Sequence, residues 1–213
     1  NYRDNEKAAK KTLAEILQAD SDGILVQADV SSLKDVKALV RKVINKYGRL
    51  DFLVNNAGFI RDALIEQMSP RDWDDVIKIH LYGSFYLMKY CLPYLSKTKG
   101  AIINITSRAA FKGFFGQANY ATAKAGLTAL TKTAAHEFGK YGVRVNAVSP
   151  PFIRTDLVVK HRKRKYLEKK AIEESLLGIY GNTSDFAKFV VWLLSNEARE
   201  VTGQVFMYDS RLY

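Results

Sequence analysis

Cysteine is almost absent from this chain. Cys91 stands alone among 213 residues, which excludes an intramolecular disulfide and fits a reducing compartment. It falls in an apolar helical stretch, where a lone thiol reads as a small buried hydrophobe. Proline is scarce too, with four residues, and no linker, low-complexity segment or internal repeat interrupts the chain. No apolar run approaches the ~20 residues that span a bilayer. The opening residues carry no secretory pattern, so a cytoplasmic location is the expectation. Acidic residues fall short of basic ones, 22 against 33, giving a net charge of +11. Much of that excess is local, in Lys160-His161-Arg162-Lys163-Arg164-Lys165. Such a cluster can bind phosphates. No nucleic-acid motif accompanies it, which favours a solvated helix face or an anionic small-molecule partner over nucleic acid.

What remains is ordinary for a globular protein: 47% hydrophobic and 26% charged residues, at a length that suits one α/β domain. Helix and strand patterns alternate. Asn5 to Leu17 reads as a helix and Gly23 to Ala28 as a short strand. Ser32 to Tyr47 is a helix, capped by Ser31 or Ser32 and closed by Gly48. Leu50 to Val54 is a buried strand. Ser69-Pro70 opens a helix that continues with a bend towards Leu95. Ala101 to Thr106 is a strand, Asn119 to Tyr141 a long helix and Val143 to Val148 a strand. Helices then run to Ile179 and over Ser184 to Leu194, and Gln204 to Tyr208 closes the sheet. This order predicts a doubly wound parallel sheet with right-handed crossovers, a Rossmann-like α/β fold. No G-x-G-x-x-G cluster precedes Gly23, so the first strand, glycine loop and first helix of such a fold are read as missing from residues 1–213.

The densest information sits at Ser107, Tyr120 and Lys124. On a helix, residues four apart stand on one face, so Lys124 lies beside Tyr120. A free phenol titrates near ~10, and a close positive charge favours the phenolate, which makes such a tyrosine a candidate acid or base. Ser107 follows the apolar run Ala101-Ile102-Ile103-Asn104-Ile105, which reads as a buried strand. A strand ending in Ser, then a helix carrying Tyr and Lys, brings three polar groups to the sheet's carboxyl edge, where open α/β folds bind ligands. The bland alternative is an amphipathic surface pair.

The neighbourhood resembles the short-chain dehydrogenase/reductase family. The match is carried by Asn55-Asn56-Ala57-Gly58 after a strand, Ile105-Thr106-Ser107, Tyr120-xxx-Lys124, Arg144-Val145-Asn146-Ala147-Val148-Ser149-Pro150 and Thr202-Gly203-Gln204-Val205. The resemblance implies that Tyr120 protonates a substrate carbonyl oxygen as hydride arrives from a nicotinamide. Ser107 would hydrogen-bond that oxygen, and Lys124 would lower the Tyr120 pKa and hold the nicotinamide ribose. The family's usual helical Asn is His80 here, in His80-Leu81-Tyr82-Gly83. Its implied role is a proton relay, against the alternative of a packed histidine without function.

For the cofactor, the resemblance implies Asp29 and Val30 at the adenine and Asn56, Ala57 and Gly58 along the adenosine half. Asp29 also has the plain reading of a helix-start carboxylate. Pro150, Ile153 and Thr155 belong, on the same resemblance, to the stretch after the sixth strand that meets the nicotinamide. Tyr2 and Arg3 occupy the position that sets cofactor choice. A guanidinium there suits a 2′-phosphate, favouring NADP with NAD as the alternative.

Gly58 to Asp62 and Gly116 to Tyr120 look like segments of 3-oxoacyl-acyl-carrier-protein reductases and hydroxyacyl-CoA dehydrogenases. This implies reduction of a 3-oxo acyl thioester, with Ser107, Phe115 and Gln117 at the substrate and an acyl-carrier protein as a fitting partner. The basic run from Lys160 lies where relatives carry a substrate lid. Relatives assemble as homodimers or tetramers. The rival readings are a dehydrogenase of a sugar, polyol or other secondary alcohol, and a catalytically silent Rossmann-like binding or scaffold protein. Two departures from the family are Pro150-Pro151 for its Pro-Gly and Asp209-Ser210-Arg211 for its Asp-Gly-Gly.

Overall fold

A computed structural model describes residues 1–154 and 164–211. Its helices begin where polar caps allow. Asn5 Oδ1 accepts from Ala8 N–H to open α1 (Glu6–Gln18), and Ser32 opens α2 (Leu33–Tyr47), which Gly48 closes at φ +72°. That left-handed turn suits a residue without a Cβ. Ser69 caps α3 (Pro70–Ile77), with Pro70 in the first turn. The expected bend after it is a single π-turn, Lys78–Tyr82, leading into α4 (Gly83–Thr98). His80 and Leu81 sit in that turn. Such insertions recur at functional sites because they re-aim a side chain.

Among the described residues four strands form the sheet, β1 (Phe52–Asn55), β2 (Ala101–Ile105), β3 (Arg144–Ser149) and β4 (Val205–Met207), in that order and all parallel. Between them run a short α5 (Ala109–Lys112), the long α6 (Ala118–Phe138), α7 (Arg164–Glu173) and α8 (Thr183–Leu194). The α/β class and parallel sheet are as expected. Three boundaries differ. The strand expected over Gly23–Ala28 is reduced to one parallel bridge, Tyr2 to Gln27, with Ala28 N–H donating to Tyr2 O. The helix expected to reach Ile179 ends at Glu173, where a turn region around Gly178 (φ +63°) begins. The short α5 went unread, because its four residues carry no resolvable period.

Side-chain alternation splits the core. On one face Ile102 and Val145 pack with Val36, Val40, Met88, Cys91, Leu95 and Phe138. On the other, Ile103, Ile105 and Val148 pack with Val190, Leu193 and Ala198. Strands β2 and β3 are buried on both faces, as parallel strands are. At β1 the cover thins: Phe52 is 50% exposed and Val54 is also exposed. A polar ladder crosses the first face. Asn55 Nδ2 donates to Asn104 Oδ1 at 2.7 Å, and Asn104 Nδ2 donates to Thr131 Oγ1 at 2.9 Å. It ties β1 and β2 to α6, the helix that carries Tyr120 and Lys124. Among the described residues no helix is long and apolar enough to cross a membrane.

Candidate active site

Strand β2 delivers Ser107 to the carboxyl edge of the sheet, with Thr106 N–H still donating to Val148 O. Ser107 Oγ accepts from Ala109 N–H at 3.1 Å, so the hydroxyl is held in a turn that opens α5. Helix α6 enters the site from the other side. Its first turn is anchored by Asn119, which is fully buried. Asn119 Nδ2 donates to Arg61 O and Asp72 O, and its Oδ1 accepts from Tyr120 N–H at 2.7 Å. The Tyr120 backbone is thereby fixed to the loop after β1. Sequence reading passed over Asn119. Its signal was a polar residue immediately before the reactive tyrosine, at a helix start.

These elements bring Ser107, Tyr120 and Lys124 together. A Ser107–Tyr120 side-chain hydrogen bond favours the phenolate. Lys124 Nζ lies 5.6 Å from the Tyr120 ring centroid and donates to Ile105 O at 2.6 Å. Lys124 is only 4% exposed, so the surface-pair alternative fails. The expected electrostatics need correction. The Tyr120 pKa is raised, because burial outweighs the Ser107 hydrogen bond and the Asp62 charge adds to it. Burial also pulls the Lys124 ammonium down to about 7. An amine so placed can exchange protons near neutrality, but it is a weaker permanent charge than the sequence suggested.

His80 reaches the same group. Its ring meets Tyr120 edge-on, with centroids 5.1 Å apart. His80 Nε2–H donates to Phe59 O at 2.8 Å, which fixes the tautomer. Nδ1 is then an acceptor, buried and without a partner among the described residues. Burial first, then the Lys124 charge, push the imidazole down to about 3 against the opposing Phe59 hydrogen bond. It is neutral at any ordinary pH. An unsatisfied buried atom of this kind costs stability.

The stretches assigned to the cofactor converge as well. Asn1, Val30, Val54, Asn55, Asn56 and Ala57 line one small cavity, and Asn55 Oδ1 there has no partner among the described residues. Asn56, Ala57 and Gly58 are exposed, and so offer open backbone. Val30 is buried against Gly83. Asp29 Oδ1 accepts from Ser31 N–H and Oγ–H in the turn that enters α2, close to its plain reading as a helix-start carboxylate. Arg3 lies over the Phe59 ring at 5.1 Å and pairs with Asp4 at 2.6 Å, so any phosphate would compete with Asp4. Tyr2 pairs with Gln27 beside it. With an orphaned polar atom, bare backbone and Lys124 along one edge, these residues fit a dinucleotide.

Pro150 and Pro151 follow β3. A Cβ on Gly181 would sit 2.2 Å from Pro151 Cγ, so that glycine makes room for the second proline. Ile153 bridges to Gly181. Thr155 and most of the basic run, Lys160 to Lys163, lie outside the described residues. On the substrate side, Phe115 is 89% exposed. Gln117 Nε2 approaches both Asp62 carboxylate oxygens at 3.4 Å.

A family model described as enoyl-(acyl carrier protein) reductase matches residues 1–210. A 3-oxoacyl-(acyl-carrier-protein) reductase FabG of Staphylococcus aureus is 36% identical over 214 residues, spanning 100% of this chain and 86% of that protein. Its namesake in Thermotoga maritima is 42% identical over 189 residues, covering 86% of this chain and 74% of its own. A 3-oxoacyl-(acyl-carrier-protein) reductase of Synechocystis is 40% identical over 212 residues, covering 98% and 83%.

Proposed function

The chain belongs to the short-chain dehydrogenase/reductase family, and from that premise we propose that it reduces the 3-oxo group of an acyl thioester with NADP(H). An NAD(P)-dependent oxidoreductase acting on a CH–OH or keto group is the coarser statement that the family carries. The observation supporting it is the Ser107–Tyr120 hydrogen bond beside a buried Lys124.

When bound, the nicotinamide supplies the hydride. The chain's own groups do the rest. Ser107 Oγ–H donates to the substrate carbonyl oxygen and sets its position. Tyr120 Oη–H gives that oxygen its proton, and burial, which raises its pKa, keeps the phenol protonated for this purpose. Lys124, near half-protonation at pH 7, stands behind it to return a proton to the phenolate, while the neutral His80 ring lies edge-on beside the phenol. Asn56, Ala57 and Gly58 present backbone to the adenosine half, and Val30 and Asp29 border it. Arg3 is the group that would hold a 2′-phosphate, which argues for NADP. The acyl-carrier-protein activity named for the relatives extends the proposal to a phosphopantetheine-borne substrate.

The test uses the full-length protein, following nicotinamide absorbance with acetoacetyl-CoA and comparing NADPH with NADH. Oxidation of NADPH well above NADH is expected. Oxidation of neither, with cofactor still bound, would redirect the search to sugars and other alcohols.

A further inference from the structure

Arg108 follows the catalytic serine directly and is only 4% exposed. Its Nη1 donates to Glu174 Oε2 at 2.6 Å, a partner 66 residues away at the end of α7. The guanidinium also lies 5.9 Å from the Phe114 ring centroid. Glu174 is not on a loose end. The next residue, Ser175, shares a hydrogen bond with Ser210 between hydroxyls 2.6 Å apart, and Leu176 N–H donates to Ser210 O at 3.0 Å. Arg108 therefore draws the Ser107 turn onto a point fixed to the segment after β4.

Burying a guanidinium is a poor route to stability, because desolvation offsets most of the attraction. A directional, charge-assisted bond is a good route to fixed geometry. The surroundings say what that geometry serves. Exposed apolar side chains follow both partners along the chain: Phe111 and Phe115 come after Arg108, and Leu176, Leu177 and Ile179 after Glu174.

We infer that Arg108 and Glu174 are a positioning pair: their ion pair holds the Ser107 turn against the end of α7 and sets the width of an apolar mouth through which the acyl part of the substrate reaches Tyr120. This rests on the acyl-thioester reading given above. The pair holds the turn of Ser107, which hydrogen-bonds Tyr120, so its loss acts on substrate binding and on turnover.

Glu174→Gln and Arg108→Lys test it, each checked for folding by thermal melting; the lysine variant serves where the first fails to fold. With acetoacetyl-CoA, KM should rise about tenfold as substrate binding is lost, and kcat should fall with it as the Ser107 turn loosens. Cofactor affinity, read by fluorescence titration, should not change. Hydrogen exchange supplies a readout independent of substrate. The amides of Ala109 to Phe111 and of Leu176 should lose protection together in either variant. An unchanged KM in a folded variant, a kcat loss with KM intact, or exchange that loosens one side alone would each overturn the pair's role. Should the wild-type protein leave acetoacetyl-CoA untouched, the acyl-thioester reading fails. Exchange then decides the pair by itself: joint loss upholds the clamp and separate behaviour overturns it.

Discussion

The imidazole of His80 fills the space in which a side chain at position 58 would stand. A Cβ on Gly58 would lie 1.9 Å from His80 Cε1 and 2.6 Å from Nδ1. The glycine is needed here for room and not for backbone freedom, since its φ is not in the left-handed region. The opposing neighbour is a buried ring with its Nε2–H bonded to Phe59 O, so it cannot swing away cheaply.

Gly58→Ala should therefore destabilise the protein by roughly 1–3 kcal/mol, the usual cost of overpacking, measured by urea unfolding. Pairing it with His80→Asn, which shortens the intruding side chain, should recover much of the loss. Additive effects in the double variant would show that the two residues do not share that space.

Tyr120→Phe should lower kcat on the order of 10³-fold, within the range for removing a general acid or base. The ring contacts with His80 and Lys124 survive in phenylalanine, so melting temperature and cofactor affinity should hold. Steady-state turnover beside a cofactor titration checks both. Turnover near wild type would end the case for this phenol as proton donor.

Lys124 carries a stability cost that depends on pH. Its pKa falls from 10.5 to about 7 on folding, so between those values the unfolded chain binds the extra proton. Stability must then rise with pH across that window, with the full penalty present below about 7. Lys124→Met should abolish turnover yet stabilise the fold at pH 6 by up to roughly 5 kcal/mol, less whatever is lost with the bond to Ile105 O. Melting curves from pH 6 to pH 9.5 should slope upward in the wild type and flatten in the variant. A variant that keeps the slope would assign the buried charge elsewhere.

Much of this site was legible in the sequence because it is built from local spacing. Tyr120 and Lys124 share a helix face by arithmetic alone, and Ser107 ends an apolar run that reads as a buried strand. What escaped was set by burial and by distant partners. No spacing reveals that desolvation outweighs the Ser107 hydrogen bond at the Tyr120 phenol. Nothing near Arg108 in the sequence points to Glu174, the partner that folding brings from 66 residues away. Asn104 gave a clearer sign, a lone amide inside Ala101-Ile102-Ile103-Asn104-Ile105, which had to find partners once buried. The short strand over Gly23–Ala28 failed for the opposite reason: its pattern was right, but among the described residues Tyr2 alone bridges to it.

His80 provides an acid-side counterpart to Lys124. Its pKa drops from 6.5 to about 3 on folding, so the unfolded chain takes up a proton that the folded one refuses. Stability from this source is fully present above 6.5 and is lost as pH falls towards 3. Carboxylates titrate in the same range, so the difference between proteins is what isolates His80. His80→Asn should lose less stability than the wild type between pH 6.5 and 4, by up to roughly 3 kcal/mol at pH 4. Because the Lys124 charge contributes to the depression, Lys124→Met should also shift the His80 titration upward and narrow that window. Wild-type and Lys124→Met chains with the same acid-side loss would show that burial alone, without the lysine, keeps the imidazole neutral.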